Sequence, residues 1–159
     1  MEPKPDLDHP EAIHHLVQTF YGRLLNDPVM APVFTEVAGV DLDAHLPTIE
    51  AYWRKMLLGE KDAYQRNMVA QHEKVHDRMP LQAVHADHWY RHFTATLDSE
   101  FEGPYADRAE YLATRILANL MKWLHERDRN RNLDTTEKDG YLPRKDTEEH
   151  GKRPSGEEK

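Results

Sequence analysis

The sequence predicts an all-α fold, and three of its features support this prediction. In several stretches, apolar side chains recur at steps of three and four residues, which is the spacing of one face of an α-helix. No stretch alternates apolar and polar residues with the period of two that a half-buried strand requires. Residues typical of helix boundaries separate the periodic stretches, with Pro10 and Pro80 at helix starts and Gly59 and Gly103 at breaks.

The first predicted helix begins after Asp8, which can cap it, and Glu11 follows at the position expected in a capping box. Residues 26–28, Asn-Asp-Pro, end this helix. Its apolar stripe consists of Ile13, Leu16, Val17, Phe20, Leu24 and Leu25. A packed connector without a long helix is expected to follow.

Four further helical segments are predicted after the connector. The second helix covers about 41–59, and a short helix covers 67–76. A third long helix begins at Pro80, and the last covers roughly 105–125. Their apolar residues again lie on one face each, so the helices are expected to share one core.

The residues after about Glu126 have a different composition from the rest of the chain. They mix both charges and contain few large apolar side chains, so they cannot bury enough surface to offset the entropy of ordering. The sequence therefore predicts one helical domain at 9–126 and a charged, disordered C-terminal tail at 127–159.

The composition restricts the classes of function. The 159-residue chain contains 29 Asp and Glu against 21 Lys and Arg, for a net charge of −8, which disfavours nucleic acid and anionic membranes as partners. It contains no cysteine, so disulfides and thiolate metal sites are excluded. No apolar run approaches the ~20 residues that span a bilayer, and the N-terminal residues lack the apolar segment of a signal peptide. We expect a soluble, cytoplasmic protein.

Four side chains with polar tips lie on the predicted inner faces. These are the side chains of Tyr21, His45, His72 and Trp89. A buried polar group without a partner costs about 1–3 kcal/mol, so four of them in one core indicate a ligand in that core. Separately hydrogen-bonded core residues would explain the same pattern.

The chain contains 11 histidines, and most of them are expected to be solvated. Exposed or terminal positions are predicted for His9, His14, His15, His125 and His150. Three more share the third long helix at spacings that could bind a metal ion, namely His85, His88 and His92. No cysteine or acidic cluster lies beside these three in the sequence, so a polar helix face is favoured.

Residues 72–76 read HEKVH, which matches the HExxH pattern of zinc-dependent hydrolases. That pattern places two imidazoles, here His72 and His76, on one helical face. The helix is short, however, and candidate third ligands are limited to Glu100, Glu102 and Glu110. A zinc-dependent hydrolase stays an alternative, and so does a non-catalytic helical interaction module that binds no metal.

Four stretches of the chain resemble the truncated haemoglobins, specifically group III of that family. They are FYGRLLNDPVMAPVF (20–34), HLPTIEAYWRKMLLGE (45–60), YQRNMVAQH (64–72) and PLQAVHADHWYRHF (80–93). The resemblance extends over about residues 10–125. It implies a truncated, two-over-two globin-like helical sandwich around haem b (iron protoporphyrin IX).

The resemblance also assigns roles to individual residues. By position, His72 is the proximal ligand of the haem iron. The distal residues that face a bound ligand are Tyr21, His45 and Trp89, with His45 also a candidate sixth ligand of the iron. The residues that line the haem pocket are Phe34, Ile49, Tyr52, Trp53, Met56 and Met68. Candidates to pair with the haem propionates are Arg66 and Lys74.

The function implied is the binding of O2 and other diatomic ligands at a penta- or hexacoordinate iron. Hydrogen-bond donors such as Tyr21 and Trp89 slow the release of O2, which suits redox chemistry or sensing with O2, NO or peroxide better than bulk transport. Candidate enzymatic activities are NO dioxygenase and peroxidase-like activity. The expected partners are O2, NO, CO or peroxide and a reductase, with no nucleic acid and no membrane.

Overall fold

The computed structural model of the protein describes residues 2–37, 42–64 and 68–140. The chain divides into two units, Met1–Leu124 and His125–Lys159. The core and the candidate site both belong to the first unit.

The described residues form five α-helices and one π-helical turn, and no strand occurs among them, which confirms the all-α prediction. None of these helices combines the length and the apolar character needed to cross a membrane. The helices are α1 (Pro10–Leu25), α2 (Leu42–Leu58), α3 (Met68–Arg78), α4 (Ala83–Glu100) and α5 (Pro104–Gly140), and the π-helical turn is Val33–Val37.

The start of α1 differs from the prediction by one residue. Pro10 occupies the first turn of the helix, and His9 before it has the extended conformation of an N-cap, with φ −153° and ψ 157°. The Asp8 carboxylate does not cap the helix, and its Oδ1 instead accepts a hydrogen bond of 2.7 Å from Nδ1 of His9. The predicted cap at Asp8 is therefore wrong.

The core forms where α1 packs against α2 and α4. Phe20 of α1 and Phe93 of α4 are almost completely buried, and Trp53 of α2 joins them. Full burial of a side chain of this size contributes about 1.5–3 kcal/mol to folding. Helix α5 adds small residues to the same cluster, namely Ala106, Ala109 and Ala113.

The side chain of Asp6, close to the N-terminus in sequence, caps the start of α5. Oδ1 of Asp6 accepts the backbone N–H of Ala106 at 2.8 Å, and Oδ2 accepts that of Tyr105 at 3.0 Å. Gly103 precedes the helix with φ +134°, and a Cβ atom at this position would lie 2.5 Å from the Asp6 carboxyl group. Only glycine therefore fits at this corner.

Helix α5 continues to Gly140, well beyond the predicted end near residue 125. Periodicity detects a helix through its buried face, whereas Leu133 of this extension is 58% exposed. The extension contains Glu126, Arg127, Arg129 and Arg131, which favour helix without needing a core, but also Asp, Asn and Thr, which do not. The rest of the predicted tail, 141–159, lies outside the described residues, and the division into 9–126 and 127–159 stays a prediction.

Candidate functional site

Ring contacts around Phe20 join α1 to α4. The Phe20 ring centroid lies 5.0 Å from that of Trp89, 5.1 Å from that of Phe93 and 5.2 Å from that of Tyr21, all edge to face. Each contact of this kind contributes about 0.5–1.5 kcal/mol beyond the area it buries. Together with three neighbouring aromatic residues, these rings form what we call the aromatic cluster, which consists of Phe20, Tyr21, Phe34, Tyr52, Trp53, Trp89 and Phe93.

Two predicted distal residues, Tyr21 and Trp89, belong to this cluster. The Tyr21 ring also meets the Phe34 ring edge to face at 5.6 Å. The indole of Trp89 stacks on Phe93 at 5.1 Å with an interplanar angle of 9°, which fixes the plane of its N–H. Burial raises the pKa of Tyr21 well above its ordinary value, so its hydroxyl group keeps its proton at neutral pH.

Helix α2 supplies the third side of the aromatic cluster. Trp53 stacks on Phe93 at 5.2 Å and 21°, and Tyr52 meets Trp53 at 5.7 Å. Burial, and secondarily the nearby Tyr64 hydroxyl, raises the pKa of Tyr52. Two more predicted lining residues of this helix, Ile49 and Met56, are half-buried and pack against the same core. The structure thus brings five of the six predicted lining residues together, Phe34 included.

His45 lies in the first turns of α2 and is half-buried. It precedes Ile49 by four residues, so both lie on one face of the helix. Ile49 packs against the core, and this face of α2 therefore turns towards the aromatic cluster.

His72 lies in α3, and its ring is held by the backbone of its own helix. Nδ1 of His72 is 2.8 Å from the carbonyl oxygen of Met68, the first residue of α3 and the sixth predicted lining residue. A carbonyl oxygen only accepts hydrogen bonds, so Nδ1 carries the proton and Nε2 has the free lone pair. Burial lowers the pKa of His72 and outweighs the opposing effect of the Met68 bond. A neutral imidazole with Nε2 available is the form that binds haem iron, and this residue fits that role.

The HExxH alternative finds little support in the geometry of α3. His76 is 3% exposed, and its Nδ1 accepts the backbone N–H of Leu81 at 2.9 Å. Within 2–37, 42–64 and 68–140, the one group of three metal-ligating side chains includes neither His72 nor His76. The proposed third ligands also lie elsewhere, since Glu100 bonds His15 at 2.9 Å, and the other two line an open groove beside Lys4.

The sequence predicted Phe20 on the apolar stripe of the first helix, but it connected neither Phe20 nor Phe93 with the site. The four-residue step from Trp89 to Phe93 was the available signal, since it puts both rings on one face of α4. Of the proposed propionate partners, Lys74 is exposed on α3 and Arg66 lies outside the described residues.

Comparisons with known proteins agree with this arrangement. The family model described as bacterial-like globin matches residues 7–126, which is well over half of the chain. The fold is similar to the crystal structure of a group III truncated haemoglobin from Campylobacter jejuni, with a TM-score of 0.66 and 23% sequence identity, covering 76% of this chain and 94% of that chain. No curated protein sequence matches the chain. The chain therefore belongs to the bacterial-like globin family, and it is a haem-binding globin with the fold of a group III truncated haemoglobin.

Proposed function

We propose that the protein binds haem b through Nε2 of His72 and uses it for redox chemistry or sensing with O2, NO or peroxide rather than for bulk transport. The observation that carries this proposal is the 2.8 Å hydrogen bond between Nδ1 of His72 and the Met68 carbonyl. It fixes the tautomer, because the proton must stay on Nδ1 while the bond lasts. The other ring nitrogen is then ready to bind a metal without losing a proton.

Haem, when bound, supplies an iron atom at which diatomic ligands or peroxide bind and exchange electrons. The chain supplies the surroundings of that atom. The aromatic cluster, with Ile49, Met56 and Met68, provides an apolar lining that excludes water and favours burial of a flat, largely apolar group.

Tyr21 and Trp89 are the proposed hydrogen-bond donors to the ligand. In the described part of the chain, neither the Tyr21 hydroxyl nor the Trp89 indole N–H donates to another protein group, so both remain available. Each hydrogen bond contributes about 1–2 kcal/mol, and about 1.4 kcal/mol corresponds to a tenfold slower release. Two such donors hold O2 too long for a carrier, which is why we favour reaction or sensing.

His45 is the proposed residue for proton transfer. Its place on the inner face of α2 suits an imidazole that gives or takes a proton when peroxide is the ligand. The same imidazole is our candidate for the sixth ligand of the iron when no gas is present. NO dioxygenase and peroxidase-like reactions both fit these residues; the first would need a reductase as partner, and the second an electron-donating substrate.

The test combines an absorption spectrum with ligand kinetics. We expect protein expressed with ample haem precursor to show a Soret band, and its ferrous form to release O2 slowly in stopped-flow measurements. Tyr21→Phe keeps the ring contacts but loses the donor, and release should accelerate about tenfold. The control is Tyr111→Phe on the exposed surface of α5, where the ring is 58% exposed.

The two parts of the proposal fail separately. A colourless protein that takes up no hemin would contradict the haem assignment at His72. A coloured protein whose rapid O2 release is unchanged by Tyr21→Phe would contradict only the role of the distal donor.

A further inference from the structure

A second group of histidines, on α4, meets a buried carboxylate just after the end of α1. Oδ2 of Asp27 accepts a hydrogen bond of 2.7 Å from Nδ1 of His88 and one of 2.6 Å from Nε2 of His92. The Asp27 side chain is only 7% exposed, whereas the two imidazoles are 24% and 27% exposed. All three ligand atoms lie within 4.8 Å of one another.

We propose that Asp27, His88 and His92 form a binding site for one zinc ion, separate from the haem site. Two imidazole nitrogens and one carboxylate oxygen are a ligand set that Zn²⁺ commonly takes. Ca²⁺ and Mg²⁺ prefer sites made of oxygen atoms, so this set selects against them. The inference does not depend on the proposed function.

The backbone already holds the three ligands in a suitable arrangement. His88 and His92 are four residues apart on α4, so their rings leave the same face of the helix. Asp27 reaches that face because α1 packs against α4. Tetrahedral zinc, with bonds of about 2.0–2.2 Å, needs ligand atoms roughly 3.3 Å apart. The present separations of 2.6 and 2.7 Å therefore need to widen by less than about 1 Å, and the two imidazole nitrogens, within 4.8 Å of each other, need to approach by at most about 1.5 Å, which side-chain rotation can supply.

When zinc replaces the hydrogen bonds between the histidines and Asp27, every proton that is displaced has a destination. Nδ1 of His88 and Nε2 of His92 now carry the hydrogens that point at Asp27. On binding zinc, each of these nitrogens turns a lone pair to the ion, and its proton moves to the other ring nitrogen or to solvent. The carboxylate stays ionised throughout.

The carboxylate is oriented by a further contact, as is usual around metal ligands. Oδ1 of Asp27 accepts the backbone N–H of Val29 at 2.7 Å, which leaves Oδ2 for the ion. Three protein ligands leave the fourth tetrahedral position to water. The partial exposure of both imidazoles provides a path for the ion from solvent.

The test measures zinc uptake by untagged, haem-loaded protein with isothermal titration calorimetry, using zinc chloride. We expect one zinc ion per chain. The double substitution His88→Ala/His92→Ala should weaken binding by about 100-fold or more, since loss of an outer-shell partner alone weakens binding about 10–100-fold. The matched control is His14→Ala/His15→Ala, which removes two exposed histidines that also bond carboxylates, at 2.8 and 2.9 Å.

A second variant keeps the test independent of any loss of packing at α4. Asp27→Asn retains an oxygen that can accept the Val29 N–H but removes the negative charge, and it should also lose zinc while its circular dichroism stays that of the wild type. The proposal is overturned if the wild-type protein takes up no zinc at millimolar concentration. It is equally overturned if the His88/His92 double variant binds zinc as tightly as the control.

Discussion

Nδ1 of His72 donates a hydrogen bond to the main-chain carbonyl oxygen of Met68, one helical turn earlier and 2.8 Å away. The bond keeps the imidazole in a single tautomer and limits rotation of the ring. A short helix of 11 residues thus supplies both the histidine and the group that orients it.

His72→Ala should abolish haem retention, because the variant lacks the imidazole that is proposed to bind the iron. The measurement is the Soret absorbance of the purified variant and its uptake of added hemin. His125→Ala, at an exposed position of α5, serves as the control and should bind hemin like the wild type. An ordinary five-coordinate spectrum in His72→Ala would transfer the proximal role to His76 or His45.

Trp89→Phe should accelerate the release of O2 by about tenfold, which corresponds to the loss of about 1.4 kcal/mol of hydrogen bonding. Phenylalanine keeps an aromatic ring against Phe20 and Phe93 but loses the indole N–H together with one of the two fused rings. Trp123→Phe makes the same chemical change where the ring is 48% exposed, and its stopped-flow trace should match that of the wild type. Equal rates in all three proteins would show that Trp89 does not reach the ligand.

Tyr21 should make the stability of the protein depend on pH in alkaline solution. Burial raises the pKa of Tyr21 in the folded protein, while the unfolded chain has the ordinary value of about 10. The folded state therefore holds the Tyr21 proton more tightly than the unfolded chain does. The contribution of Tyr21 to the free energy of unfolding is fully present below about pH 10. It decreases as pH rises above this value, by at most about 1.4 kcal/mol per pH unit.

Urea denaturation at several pH values between about pH 8 and about pH 11 measures this effect. Tyr21→Phe should lose less unfolding free energy over this range than the wild type does. Tyr111→Phe, with its exposed ring, is the matched comparison. Parallel curves for Tyr21→Phe and the wild type would contradict the assignment.

Asp6→Ala should lower the free energy of unfolding by about 1–2 kcal/mol, because two backbone N–H groups at the start of α5 lose their acceptor. Chemical denaturation followed by circular dichroism measures the change. Asp8→Ala removes a neighbouring acidic residue that caps no helix, so its stability should stay close to that of the wild type. A similar loss in both variants would point to net charge rather than capping.

The sequence predicted the helices well where one face of the helix is buried. The stripe of α1 is buried as expected from Ile13 to Leu24, whereas Leu25, predicted on the same stripe, is 37% exposed. Prediction was weaker at helix ends, where Pro10 moves the cap to His9, and in the part of α5 after residue 125, which exposes Leu133. Periodicity carries information only about burial, and a solvated helix leaves no such trace.

The candidate site was predicted unevenly. The aromatic cluster brings together Tyr21, Trp89 and three of the six predicted lining residues, Phe34, Tyr52 and Trp53, and the assignment of their roles rests on the resemblance. The contact between Asp27 and His92 could not be predicted from the sequence, because 65 residues separate the two partners. The sequence pattern around Asp27 indicates only the end of a helix. A group formed by two residues of α4 and one that follows α1 becomes visible only once these helices are packed.

The Asp6 cap has a consequence for the order in which the chain folds. Its acceptor atoms serve donors 99 and 100 residues further along, so the ends of a long loop must meet before these bonds form. Contacts of such wide sequence separation form late. During synthesis, the Asp6 carboxylate meets these two donors only after the start of α5 has left the ribosome, and substitutions at Asp6 should speed unfolding rather than slow folding.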